Sequence, residues 1–236
     1  MVGPATEFRS LDAIRGSLLD PHCTGPDPVY GIAMDVARAS DLPLLRQRML
    51  LYGIVAYTAG RLGQEPTRSQ GHVHAIAPHS RWSPPELFEI LEGKAIVYAQ
   101  RSTDDDPGTC VAVLAGERDQ VVVPPGWAHC VINANPARRM VFGAWCDRQF
   151  GFVYHGVRAH GGLAWFPVLN SADEIGWCAN PAYRTSKLNI HAARAYPELD
   201  LIPGSDIYQQ FVDDPDSLMW VSDPVRKKSL WNTFIP

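Results

Sequence analysis

His72, His74, Glu86 and His129 are the residues of this 236-residue chain whose types and spacing could do chemistry. They fall in two blocks, GHVH followed by PELFEILEG, and later VPPGWAHCVIN. His72 and His74 are two apart, so on a strand both side chains leave the same face. A helical metal site would need two histidines four apart, and no HExxH run is present. ELFEILEG reads as a strand with Glu86, Phe88 and Ile90 on one face, Leu87, Glu89 and Leu91 on the other, and Gly93 closing it. His129 follows the turn Pro124-Pro125-Gly126, where proline fixes φ and glycine frees the next corner. Brought together, three imidazoles and one carboxylate make an open divalent-metal site. They suit Fe, Mn, Ni, Co or Zn, with iron placed first, and the lack of thiolate ligands argues against a closed structural zinc site. Four protein ligands in an octahedral shell leave two positions for water or a chelating substrate. A lone histidine is more often a surface or core residue; the two-block grouping is what favours a ligand set here. His22, His79, His155, His160 and His191 have no such context, although His79 lies between ligands and is a candidate for a pocket rim.

Elements that place such residues are strands. From residue 48 to about 168 the chain alternates short apolar runs (LLYGIVAY, ELFEIL, AIVYAQ, CVAVLAG, QVVVPP, HCVIN, RRMVFGAW) with turn signals (DDDPGT, GERD, PPGW, NANPAR). That density marks an all-β antiparallel sandwich or barrel. Residues 1–47 read as an N-terminal extension with one helix around Leu11–Leu19 and a strand near Val29–Ala33. Residues 169–236 are rich in Pro, Asn and Asp, and helical turns wrapping the barrel are expected there. The whole is read as a single domain of ample size for a core. The acidic run Asp104–Asp106 reads as a solvated hairpin loop.

Composition narrows the function classes. Lys and Arg number 21 against 25 Asp and Glu, so there is no basic stripe for nucleic acid. No apolar run has the length of a membrane span, and no basic and then apolar leader opens the sequence. Five cysteines, odd in number and without a CxxC pair, favour reduced thiols in a cytoplasmic protein over a disulfide framework. Cys130, next to His129, faces the opposite side of its strand and reads as core.

At the candidate ligands the chain resembles the cupin superfamily. The first cupin motif matches Gly71, His72, His74, Glu86 and Gly93; the second matches Pro124, Gly126, His129 and Asn133. The gap from His74 to Glu86 is longer than the usual pattern, and Gly116 lies further from Pro124. A closer resemblance is to the cupin-type glucose-6-phosphate isomerases. It rests on Arg9, Leu11, Gly16 and Asp20, on the DPVY segment Asp27–Tyr30, on the run from Gly60 to His74, on ELFEILEGKA, and on the tail segments NPAY and GSDIYQQFVDDPDSLMWVSDP. The resemblance spans nearly the whole chain. It implies a double-stranded β-helix barrel with peripheral helices, a homodimer, and a small-molecule substrate that is a sugar or sugar phosphate. The implied reaction is metal-dependent aldose–ketose interconversion, most simply glucose 6-phosphate to fructose 6-phosphate.

The resemblance also assigns residues. Glu86 is both ligand and candidate base. Tyr154 is a candidate pocket hydroxyl, against the plainer reading of a partly buried aromatic on a terminal strand. Two threonines that help hold phosphate in the family fall here on Val55 and Ser69, beside the Gly71 amide; a family tyrosine falls on Trp145 and a family histidine near Phe152. Val55 cannot donate a hydrogen bond, so the phosphate cradle is partly dismantled. Arg68, Arg81 or Arg148 are candidates to replace it, each more simply a surface charge. Two further classes stay open. One is an isomerase or Fe(II)-dependent oxygenase acting on a non-phosphorylated small molecule, the oxygenase using the same ligand set. The other is a non-catalytic binding cupin, against which the intact ligand set argues.

Overall fold

The computed structural model describes residues 1–236. Its first strands are β1 (Glu7–Arg9), β2 (Tyr30–Met34) and β3 (Leu50–Tyr57). The short β4 (Arg61–Leu62), β5 (Glu65–Pro66) and β6 (Val73–His74) lead into β7 (Glu86–Glu92), β8 (Lys94–Gln100), β9 (Cys110–Gly116), β10 (Gln120–Val123), β11 (Ala128–Asn133) and β12 (Met140–Asp147). β13 (Phe152–Val153), β14 (Trp165–Leu169), β15 (Ile175–Ala179) and β16 (Leu188–Ala192) follow. Two sheets form the body, one of six strands ordered β1-β2-β3-β12-β7-β10 and one of four ordered β11-β8-β9-β16. Successive strands β7 and β8 belong to opposite sheets. The corner between them is Gly93, whose φ of +84° favours glycine. This is the all-β double-stranded barrel expected from the alternation of strands and turns.

Side-chain alternation sorts each strand into two environments. Val55, Phe88, Ile90, Val97, Val113, Val131, Phe142, Ala144 and Cys146 pack inside the barrel. Leu50, Tyr52, Leu87, Val122 and Trp145 leave the outer face of the six-stranded sheet and are covered by Tyr196, Leu199, Ile207, Phe211, Trp220 and Trp231. Ile96, Tyr98, Cys110, Cys130 and Ile132 leave the outer face of the four-stranded sheet and meet Val157, Leu163 and Tyr183. Cys130 thus faces away from the cavity, as its neighbour position implies.

Three local expectations need correction. The N-terminal helix is shorter than Leu11–Leu19. It spans Leu11–Ile14 behind an N-cap in which the Ala13 amide donates to Ser10 Oγ, then tightens into a 3-10 turn over Arg15–Ser17. Leu18 is already extended, and the Arg15 guanidinium donates to the carbonyls of Pro21 and Cys23, turning the chain away. The N-terminal extension also holds a second helix, Leu42–Gln47, with proline in its first turn. The C-terminal third is not helical turns alone. β14 and β15 form a hairpin, and β16 adds to β9 in parallel before the helices Ile207–Asp213, Met219–Ser222 and Lys228–Trp231 close the outer face. The four-stranded sheet therefore runs past residue 168. All five cysteines are free. No helix is long and apolar enough to cross a membrane.

Candidate metal centre

Backbone pairing brings the ligands together. His72 and His129 form an antiparallel bridge, with His72 N donating to His129 O at 3.1 Å and His129 N donating to His72 O at 2.9 Å. Opposed residues share a face, and the two imidazole centroids stand 4.4 Å apart. His74, two positions on, turns to the same side, with its ring 5.1 Å from that of His72. Gly71 makes this approach possible. Its φ is +89°, and a Cβ there would meet Leu163 Cδ1 at 2.7 Å. Glu86 opens β7 and enters from the other sheet, paired with Val123.

The four donor atoms of His72, His74, Glu86 and His129 all lie within 4.8 Å of one another. Glu86 Oε2 is 2.9 Å from His129 Nε2 and 3.3 Å from His74 Nε2. Ligands about 2.1 Å from a common ion stand roughly 3 to 4 Å from each other, so the cluster fits one first-row cation. Hydrogen bonding on the far side of the rings supports the same fit. His74 Nδ1 lies 3.0 Å from the Pro84 carbonyl and His129 Nδ1 lies 3.2 Å from the Trp127 carbonyl. A carbonyl oxygen only accepts, so each Nδ1 carries the proton and each Nε2 turns a lone pair inward. Two lone-pair nitrogens then face a carboxylate oxygen, an arrangement that calls for a proton or a cation between them. The Nε2 atoms of His72 and His74 are buried with no hydrogen-bond partner, which a bound ion would satisfy.

Electrostatics agree with the donor set. Burial, and then the neighbouring His129 and His74, hold the His72 pKa well below the usual imidazole value, so the ring is a neutral ligand. Burial opposes ionisation of Glu86; with a proton standing between it and the His129 and His74 rings, hydrogen bonding and charge from those rings outweigh burial and hold the Glu86 pKa well below the ordinary carboxylate range. Its second oxygen is occupied from behind: the Cys146 thiol donates to Glu86 Oε1 at 3.2 Å. Burial and the Glu86 charge push the Cys146 pKa far up, keeping the proton on sulfur.

The cluster faces a cavity of about 50 Å³ whose lining includes His72, Glu86 and His129. Tyr154, Ser69, Gly71 and Val55 also line it, as do Arg9, Tyr30, Tyr57 and Phe88, which sequence reasoning did not assign to the site. Arg9 and Tyr30 stand in the segments that carried the family resemblance, and β1–β2 pairing sets them opposite each other. Trp145 is not in the cavity. It is fully buried behind the six-stranded sheet, where its indole Nε1 donates to the Ile207 carbonyl and its ring stacks on Tyr208. Its neighbour Cys146 faces inward instead, and the alternation of β12 (Phe142, Ala144, Cys146) is the signal that could have found it. His79 is not at the rim; it contacts Asp147, Gln149 and the Ser222 carbonyl. Arg68 is not available to a ligand: buried, it donates to Glu65 Oε1 and to the carbonyls of Ser17 and Ser69. Arg148 is engaged by Asp35 at 2.7 and 2.8 Å. Arg81 does not line the cavity.

The family model for glucose-6-phosphate isomerase (GPI) matches residues 18–183. No curated protein matches the chain. Among solved structures, vicilin from Capsicum annuum is similar at 10% identity over 52% of this chain and 30% of that one, with a TM-score of 0.36. An oxalate oxidase is 14% identical over 53% of this chain and 54% of that one, with a TM-score of 0.37. A deletion mutant of Bacillus subtilis oxalate decarboxylase is 13% identical over 63% of this chain and 31% of that one, with a TM-score of 0.37. The chain thus spans about half or less of the length of these proteins.

Proposed function

The chain belongs to the glucose-6-phosphate isomerase (GPI) family, and on that premise we propose that it is a metal-dependent isomerase that moves a carbonyl between adjacent carbons of a hydroxycarbonyl substrate. The family's pair, glucose 6-phosphate and fructose 6-phosphate, is the first to assay. The observation that carries the reading is the convergence of three imidazoles and one carboxylate on one cavity. When bound, a divalent ion polarises the carbonyl and stabilises the negative charge that develops on its oxygen. His72, His74, His129 and Glu86 would hold it. Glu86 is the one carboxylate of the lining and therefore the group to carry a proton from one carbon to the next. Burial raises the Tyr154 pKa, so its phenol stays protonated at neutral pH and serves as a donor to a substrate oxygen. A homodimer, drawn from the resemblance, is part of the same proposal.

The test is turnover of the purified protein, chelator-treated and then reloaded with Fe(II), Mn(II), Co(II), Ni(II) or Zn(II), on a panel of aldoses and hydroxycarbonyl compounds without oxygen. Isomerisation that vanishes with chelator and returns with an ion supports the reading. Chemistry that runs only with consumption of oxygen would replace it with an oxygenase, and no turnover of any panel member would leave a binding protein.

A further inference from the structure

Holding a phosphate takes cations and hydrogen-bond donors. Val55 offers neither, Arg68 and Arg148 are held by Glu65 and Asp35, and Arg81 does not line the cavity. Two other guanidiniums stand at Tyr154. Arg9 is the one arginine or lysine of the cavity lining, set opposite Tyr30 by the β1–β2 register. The side chain of its partner Glu7 is 69% exposed, a surface pair that holds the guanidinium weakly. Arg158 lies on the short helix His155–Ala159 that follows Tyr154. Its guanidinium carbon sits 5.0 Å from the centre of the Tyr154 ring, and its Nε donates to Gln70 Oε1 at 3.1 Å. Arg158 is exposed while Tyr154 and Gln70 line the cavity, so its remaining N–H groups stand where the lining meets solvent. Accepting from Arg158 fixes the oxygen end of the Gln70 amide and leaves its NH2 as a donor. Both arginines bear on the Tyr154 hydroxyl. Burial raises its pKa, and Arg9 and then Arg158 oppose the rise by favouring negative charge there.

Two guanidiniums beside a phenol and a primary amide make a place for an anion with several acceptor oxygens, and the planar fork of arginine matches a phosphate in particular. We propose that Arg9 and Arg158 are specificity-determining residues of this chain, gripping the phosphate end of a phosphorylated hydroxycarbonyl substrate and taking over the part of the hydroxyl that Val55 lacks. The hydroxycarbonyl end rests on the isomerase reading above; the grip on the other end rests on the two arginines and their neighbours. In this arrangement the carbonyl and hydroxyl oxygens of the substrate face His72, Glu86 and His129. The phosphate faces Arg9 and Arg158, with the Tyr154 hydroxyl and the Gln70 amide as further donors.

Two hydroxamates that share a chelating head and differ only in the phosphate separate the two ends. 5-Phospho-D-arabinonohydroxamate and D-arabinonohydroxamate are titrated into the Co(II)-loaded wild type, Arg9→Met and Arg158→Met. Calorimetry reads affinity, and the visible Co(II) spectrum reports the head at the cluster. Wild type is expected to favour the phosphorylated compound. Each methionine variant is expected to lose about 10- to 100-fold for that compound, the scale of a lost charge-assisted hydrogen bond, and nothing for the other. Arg9→Lys and Arg158→Lys should keep part of the preference, since lysine brings the charge without the fork. Equal loss for both compounds overturns the proposal, because the arginine then supports the fold or the cluster. So does no loss for either compound, or a wild type that does not distinguish the two. None of these outcomes touches the isomerase reading, which the anaerobic turnover assay decides. A Co(II) spectrum that neither compound changes overturns both.

Discussion

His72, His74 and His129 each turn a ring nitrogen to one point, so removing any one opens the donor set. Alanine at His72, His74 or His129 is expected to lower bound metal and turnover by one to several orders of magnitude, read by elemental analysis beside the assay; full metal content in these variants would count against the cluster. Cys146 supplies a subtler test. Its thiol holds Glu86 Oε1 while Oε2 faces the histidines. Cys146→Ala should weaken metal affinity by about 10- to 100-fold, the usual scale for losing an outer hydrogen bond to a ligand, and Cys146→Ser should recover most of it. Equal affinity in wild type and the alanine variant would show that the thiol only fills space. The four ligands were legible in the sequence because strand alternation and turn chemistry fix them locally. Cys146 and Trp145 were not: the partner of Glu86 lies 60 positions along the chain, and a shift of a single residue in an alignment moves a side chain from the cavity to the opposite face of the sheet.

Among the elements, the segment that carries Ser69, Gly71 and His72 is anchored by a buried ion pair. Arg68 and Glu65 are 2% and 1% exposed, their nearest atoms are 2.7 Å apart, and Glu65 Oε2 also accepts from the Leu19 amide. Removing one partner leaves the other charged and dry. Arg68→Met alone is expected to cost about 3 to 5 kcal/mol in urea unfolding, and a paired Glu65→Leu, Arg68→Met replacement much less. A loss under about 1 kcal/mol for the single variant would show that the pair is not anchoring this segment. The Asp35–Arg148 pair joins the end of β2 to the end of β12 and carries a pH signature. Hydrogen bonding from Arg148 lowers the Asp35 pKa against a smaller opposing effect of burial. Its stabilisation is therefore complete above the unfolded-state value, near 4, and fades as pH falls through the lower folded-state value. Asp35→Asn should thus be less stable than wild type by about 1 kcal/mol or less at pH 6, a gap that closes in strong acid; a gap independent of pH would rule out the charge as its source. The barrel strands were readable because each is a short apolar run between turn signals. β15 and β16 were not. IGWCA and LNIHA are half exposed, LNIHA with polar Asn189 and His191 at alternate positions, and β16 owes its place to parallel pairing with β9 across the intervening chain.

At the scale of the whole molecule, a metal that binds only the folded chain stabilises it by mass action. At a free ion concentration 100-fold above Kd the gain is about 2.7 kcal/mol, visible as a rise in Tm that chelator reverses. An unchanged Tm across that range would mean that the cluster binds no ion with useful affinity. The general fold was legible at this scale, since the alternation of strand and turn leaves few architectures. The outer cover was not, because Tyr196, Ile207, Phe211 and Trp220 are spaced irregularly along a Pro- and Asp-rich tail and find the sheet only through packing.

Glu86 belongs to the six-stranded sheet and His129 to the four-stranded one. A cation seated between them is a rivet through both walls, mechanical as well as chemical. Stripping it should loosen β7 and β11 together, so that their amides trade hydrogen for deuterium faster in concert.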